Sequence, residues 1–225
     1  MTLIHETDYL KLCKESSQKF TIYFKHPNDR YTNNIIDSII NSVPTSFTDK
    51  LFSYIRFNAN HVTTLQNYLQ INTTITYQMA HHILFSLWYQ QSHLQKGNNS
   101  IIALSVNDVI VIDNKYFFCV NPNILSNHYD RGIKLSLPLD TTYFVSPQIT
   151  KAKQIPLFLS RSTFHYSLAS IIVYSLFNVR LSNLDEDIHQ NIIKDILLPI
   201  YSTKLYSCLY RMLAFNEDNR TFLFV

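Results

Sequence analysis

Glycine is almost absent from this chain. Only Gly97 and Gly132 occur among 225 residues, and the first 96 residues contain none. A backbone that wraps closely around a phosphate needs positions without a side chain. The N-terminal region therefore holds no Walker loop, no dinucleotide-binding fingerprint and no other Gly-rich phosphate loop. Cysteine is scarce too: Cys13, Cys119 and Cys208 lie far apart, without paired spacing. Such an odd, dispersed set predicts buried thiols in a reducing compartment. His81, His82 and His93 fall in one helical stretch with no cysteine or carboxylate at ligand spacing, so no zinc pattern is present. Charge of one sign is equally thin. There are 19 basic and 16 acidic side chains, net +3, and Lys151 with Lys153 is the nearest approach to a polybasic run. No nucleic-acid partner is expected from that balance. The longest mostly apolar run, "SLASIIVYSLFNV", is too short to cross a bilayer. The opening "MTLIHETDYLKLCKE" is charged and lacks the apolar core of a signal peptide. The expectation is a soluble, intracellular protein with no membrane partner.

What is present points to a packed globular fold. Hydrophobic residues make up 46% of the chain and charged residues 16%, a balance typical of a folded domain. "FTIYFK", residues 20–25, has strand character. Ile35, Ile36, Ile39, Ile40 and Val43 then recur at helical spacing, with Asn28 or Asp29 as cap and Pro44 as terminator. "SFTDKLFSYIRF" returns to strand character, and "TLQNYLQ" reads as a short helix. In "TITYQMAHHILFSLWYQQSHL", Ile75, Met79, Ile83 and Leu87 form one stripe with Ala80, Leu84 and Trp88 beside it, a face wide enough for a core. Residues 100–120 read as a hairpin turning at Asp113-Asn114, and 121–148 as irregular. Three further helices follow. "STFHYSLASIIVYSLFN" is apolar nearly all round, "NLDEDIHQNIIKDIL" opens with acids in its first turn, and "TKLYSCLYRMLAF" comes last. Abundant Asn, Ile and Tyr beside scarce Gly is the coding bias of an AT-rich genome, as in large DNA viruses and intracellular parasites.

Four phrases in order carry a resemblance. "HLQKG", "TTYFVSPQI", "HYSLASIIVYSLFN" and "RMLAFNEDNRTF" resemble the segments of eukaryotic-type protein kinases that close the long helix, end the activation segment, form the central helix and lie near the C-terminus. The resemblance covers about residues 20–222. It implies an α+β protein kinase-like fold, with residues 1–62 as a reduced N-terminal strand-and-helix lobe and 63–225 as a mainly helical C-terminal lobe of one domain.

The same resemblance implies that the chemistry has been lost. The catalytic loop falls on "IIALSVND", residues 101–108. Ala103 then stands at the general-base aspartate and Ser105 at the loop lysine, and a methyl group accepts no proton. Asp108 takes the place of the metal-binding asparagine. Asn121, in "NPN", takes that of the metal-binding aspartate, offering a neutral oxygen where hard Mg²⁺ favours a carboxylate. Lys25 matches the phosphate-binding strand lysine, but residues 30–43 contain only Asp37 as an acid to pair with it. The brace of the catalytic loop falls on Phe164. Gln148 replaces a structural glutamate whose arginine partner matches Arg220. Losses of this kind commonly cost ~10²-fold each.

The leading expectation is a catalytically inactive kinase-like protein, a pseudokinase. It would scaffold a protein partner, an active kinase or that kinase's substrate, through segment 124–145 and the helix around 185–198. No cofactor is expected. One alternative is a divergent active kinase in which Lys25, Asp108 and Asn121 hold ATP and Mg²⁺ in a rearranged site. Another is a structural or assembly protein unrelated to kinases. In that case Asp108 is a turn residue, Lys25 a solvated strand end, and Ala103, Ser105 and Asn121 ordinary hairpin residues.

Overall fold

A computed structural model describes residues 1–42, 47–51, 53–181 and 186–224. The chain opens with strands β1 (Thr2–Glu6), β2 (Leu10–Lys14) and β3 (Lys19–Phe24), then helix α1 (Arg30–Ser42), then β4 (Phe47–Leu51) and β5 (Tyr54–Asn58). The strands form one antiparallel sheet in the order β1-β2-β3-β5-β4. Alternation puts one side of each strand inward. Leu12, Ile22 and Ile55 stand in register across three strands, with Leu10 opposite Phe24 and Phe20 opposite Phe57. All are buried. The other face is polar: the Glu15 carboxylate accepts from Thr21 Oγ1 at 2.8 Å and pairs with Arg56 at 3.1 Å. α1 starts as its sequence predicts, with Asp29 Oδ2 accepting from Thr32 N at 2.9 Å. Its buried Ile35, Ile36 and Ile39 join the same core.

The next segment turns the chain into a second layer. β6 (Val62–Thr64) leads directly into α2 (Leu65–Asn72), and α3 (Tyr77–Lys96) follows. Thr64 and Thr76 cap these two helices, accepting from Asn67 N at 3.1 Å and Met79 N at 3.2 Å. α3 is the axle of the molecule, touching α1 on one side and the later strands and α5 on others. Strands β7 (Asn99–Ile101), β8 (Val109–Ile112) and β9 (Tyr116–Cys119) come next. β6, β8 and β9 form a three-stranded antiparallel sheet in that order, with β8 in the middle. The β8–β9 turn has φ 52° at Asp113 and 54° at Asn114, the left-handed pair that a two-residue hairpin requires. Asp113 Oδ1 also accepts from Asn60 N and His61 N, at 2.9 and 2.8 Å, tying the turn to the entry of β6.

The remainder comprises β10 (Leu125–Tyr129), β11 (Gly132–Leu135), a short α4 (Pro147–Thr150), β12 (Leu157–Leu159), α5 (Thr163–Phe177), α6 (Glu186–Leu197) and α7 (Lys204–Met212). α5 is the all-round apolar helix, with Phe164, Leu168, Ile171, Ile172 and Val173 fully enclosed. β12, β11, β10 and β7 form a four-stranded sheet in that order. Gly132 is obligatory in it: φ is +118°, and a Cβ would stand 2.3 Å from Leu159 O.

The molecule is thus mixed α and β with antiparallel sheets. The local expectations are refined as follows. Residues 1–15, read only as charged, form the β1–β2 hairpin, so the N-terminal region carries more strands than its sequence suggested. "SFTDKLFSYIRF", read only as having strand character, yields the two strands β4 and β5. Residues 121–148 are not irregular throughout, because β10 and β11 pair there through His128 and Ile133. Val43, Pro44 and residues 182–185, expected to bound helices, lie outside the described residues. Among the described residues no helix is long and apolar enough to cross a membrane.

Candidate functional site

Three distant parts of the chain converge on Asp108. The turn joining β1 to β2 presents Tyr9, whose hydroxyl donates to Asp108 Oδ1 in a short bond. Asn121, after β9, donates from Nδ2 to Asp108 Oδ2 at 2.9 Å and to the Tyr143 hydroxyl at 2.9 Å. Tyr143 comes from the segment between β11 and α4. Asp108 is itself fixed by its backbone. Its N–H donates to Ser105 O at 3.0 Å, and its carbonyl accepts from Val120 N at 2.9 Å. The Asn121 Oδ1 accepts from Asn123 N at 2.9 Å, starting a single 3₁₀ turn. One buried carboxylate therefore joins the first hairpin to the loops of the second half.

The electrostatics follow from that enclosure. Burial raises the Asp108 pKa above the usual carboxylate range, opposed by hydrogen bonds from Tyr9, Asn121 and Tyr143 and by the nearby His5 imidazole. Burial first, then the Asp108 charge, pushes the Tyr9 and Tyr143 phenols up. Burial lowers the His5 pKa, with Asp108 acting against it. The Cys119 thiol, wholly enclosed, is also driven up by burial and remains an inert thiol.

The other expected residues are placed as follows. Asp108 and Asn121 are brought together. Both carboxylate oxygens of Asp108 and the amide oxygen of Asn121 each accept one hydrogen bond from within the protein. Among the described residues no group of three or more His, Cys, Asp and Glu could hold a metal ion. Ala103 is fully buried, next to Leu104, whose carbonyl accepts from Phe144 N at 2.7 Å. Ser105 is buried and caps its own turn through Asn107 N at 3.4 Å. Lys25 sits beside the network without joining it. Its backbone N–H donates to Tyr9 O at 2.9 Å, while its ammonium pairs with Glu6 on β1 at 2.8 Å. Gln148 and Arg220 do meet. Arg220 donates to Gln148 Oε1 at 2.6 Å, to Phe215 O at 2.7 Å and to Ala214 O at 2.7 Å. Gln148 Nε2 donates to the same Phe215 carbonyl at 2.9 Å, a bond that a glutamate could not make.

Three residues of this centre left no mark in the sequence: His5, Tyr9 and Tyr143. A tyrosine in a three-residue turn has no spacing that announces its partner, and Tyr9 lies 99 positions from Asp108. Next to Tyr143 lies a cavity of about 400 Å³ walled by Leu139, Val145, Ile149 and Leu181. Arg180 pins its rim, donating to Thr141 O and, at 2.9 Å, to Tyr143 O, with its guanidinium 4.6 Å from the Phe144 ring centre. No family model and no curated protein matches the sequence.

Proposed function

We propose that this protein is a catalytically inactive, protein kinase-like domain that works by holding a protein partner. The observation that carries the reading is the Tyr9–Asp108 bond. In a phosphotransferase the turn of the first hairpin covers nucleotide phosphates, and the acid near the catalytic loop holds Mg²⁺. Here that turn has no glycine and sends a phenol onto that acid. Supporting it, the third strand runs into α1 as a lysine-bearing strand runs into its partner helix in kinases, yet Lys25 pairs with Glu6 instead. Ala103 leaves no proton acceptor where transfer would need one.

The partner surface is the segment ahead of α4 with its cavity. Leu139, Val145 and Ile149 offer apolar area there, and Arg180 keeps the segment in one shape for docking. The proposed surface is the segment 124–145 with the helix around 185–198; within that segment residues 125–129 and 132–135 are sheet strands.

Two measurements test the reading. Purified protein should show no thermal shift with millimolar Mg-ATP. A Mg²⁺-dependent shift that Asp108→Ala removes would establish an active-site remnant and overturn the inactive assignment. Leu139→Glu with Ile149→Glu should abolish partner crosslinking while the melting temperature is kept. Retained crosslinking would remove the surface.

A further inference from the structure

A second cavity, sharing no lining residue with the Asp108 centre, has a composition of its own. It is an open groove of about 350 Å³ between the end of α1, one stripe of α3 and the β8–β9 turn. The α3 stripe repeats at helical spacing: His82, Phe85 with Ser86, Tyr89 and His93. The turn contributes Lys115 and Tyr116, with the Lys115 ammonium 5.4 Å from the Tyr116 ring centre. Two imidazoles and an ammonium thus face one cavity, and none of its described lining residues is acidic. Burial, then Lys115, then the neighbouring His81 hold the His82 pKa below its ordinary value. That favours the neutral ring, which keeps one ring N–H as a donor.

From this geometry we infer that the cavity between α1, α3 and the β8–β9 turn binds a small organic anion with an aromatic or similarly flat apolar body. The anionic head lies at Lys115 and the two histidines, and the body lies against Phe85, Tyr89 and Tyr116. The volume suits such a ligand, since small-molecule sites are mostly apolar cavities of roughly 300–1,000 Å³ with a few convergent polar groups. A bare inorganic anion would leave the aromatic walls uncovered. A neutral arene would leave the Lys115 ammonium without a counter-charge. This site is independent of the Asp108 centre and of the kinase-like reading.

The test is a titration of the full chain with sodium 2-naphthoate, followed through the imidazole carbon–proton resonances of His82 and His93. Each resonance is assigned by its His→Gln variant. Both should move saturably, and Lys115→Glu, at an exposed turn position that leaves the fold intact, should weaken binding about tenfold. The neutral 2-naphthylmethanol and inorganic phosphate should each bind at least about tenfold more weakly than naphthoate. Stationary histidine resonances would overturn the assignment, as would equal affinity in Lys115→Glu. Equal binding of the alcohol would remove the anion requirement, and equal binding of phosphate the organic body; either result defeats the inference.

Discussion

The Tyr9 hydroxyl donates to the Asp108 carboxylate across the junction between the N-terminal sheet and the loops that follow α3. Asp108 is 5% exposed, so its carboxylate depends on partners within the protein such as this phenol. Tyr9→Phe keeps the ring and removes only the donor. It should lower the unfolding free energy by about 1–3 kcal/mol, the cost of leaving a buried acceptor short of a partner. Urea denaturation checks this, and an unchanged midpoint would show that the hydroxyl is dispensable.

Asp108 also sets a pH dependence. Its folded pKa is raised above the ordinary 3.8, by burial against the opposing bonds of Tyr9, Asn121 and Tyr143. The folded state then binds the proton more tightly than the unfolded chain does. That stabilising share is complete below 3.8 and is lost as pH rises through the folded value. Relative to Asp108→Asn, the wild type should gain stability on acidification from neutral pH toward 3.8. A difference that does not change with pH would contradict the raised pKa.

His165 works in the opposite direction. Burial pushes its pKa from 6.5 down to about 4, so the neutral ring is the one the fold accepts. Its stabilising share is whole above 6.5 and is lost as pH falls toward about 4. The ring lies 5.4 Å from that of Trp88, which stacks on Phe222 of the C-terminal segment at 3.9 Å. Trp88 is the single tryptophan. Its fluorescence should therefore change with acid in the wild type before global unfolding, and His165→Phe should suppress that change. An identical acid transition in the variant would exclude His165 as the cause.

Gln90 joins three elements from within α3. Its amide donates to Cys119 O at 2.7 Å and Ser38 Oγ at 3.1 Å and accepts from Cys119 N at 2.8 Å. Gln90→Leu fills the space but orphans the β9 backbone, and should cost about 2–4 kcal/mol. Hydrogen exchange at the Cys119 amide should accelerate with it. Protection equal to wild type would show that the strand is held by its neighbours alone.

Arg220 is 4% exposed and bonds Gln148 and two carbonyls. Burial lowers its pKa to about 10, still high enough to keep it charged at neutral pH. Arg220→Leu should cost about 3 kcal/mol by stranding those acceptors. Thermal denaturation reads the loss, and a shift below one degree would overturn the bracing role.

Local signals in the chain were legible where one element decides its own fate. The apolar stripe of α3, the Asp29 cap of α1 and the Asp113-Asn114 turn are each settled within a few residues. The β1–β2 hairpin was not, because β1 is an edge strand with no buried side chain and so no apolar alternation to betray it. β10 and β11 hid for a related reason: "LSNHY" and "GIKL" are too short and mixed to show a period. Gln90 and Gln91 are polar residues on a helix whose apolar stripe alone was legible, yet both are fully buried and bond strand backbone.

The amino-acid order alone determined the want of a glycine phosphate cradle, the order of helices and the methyl at Ala103, since each is a property of single residues or short periods. Tertiary structure decided that Tyr9, Asn121 and Tyr143 enclose Asp108, and that His82, His93 and Lys115 share one cavity. Those groups are separated along the chain by loops and sheets. Their meeting depends on how α3, the two hairpins and the later segment pack, which no local spacing encodes.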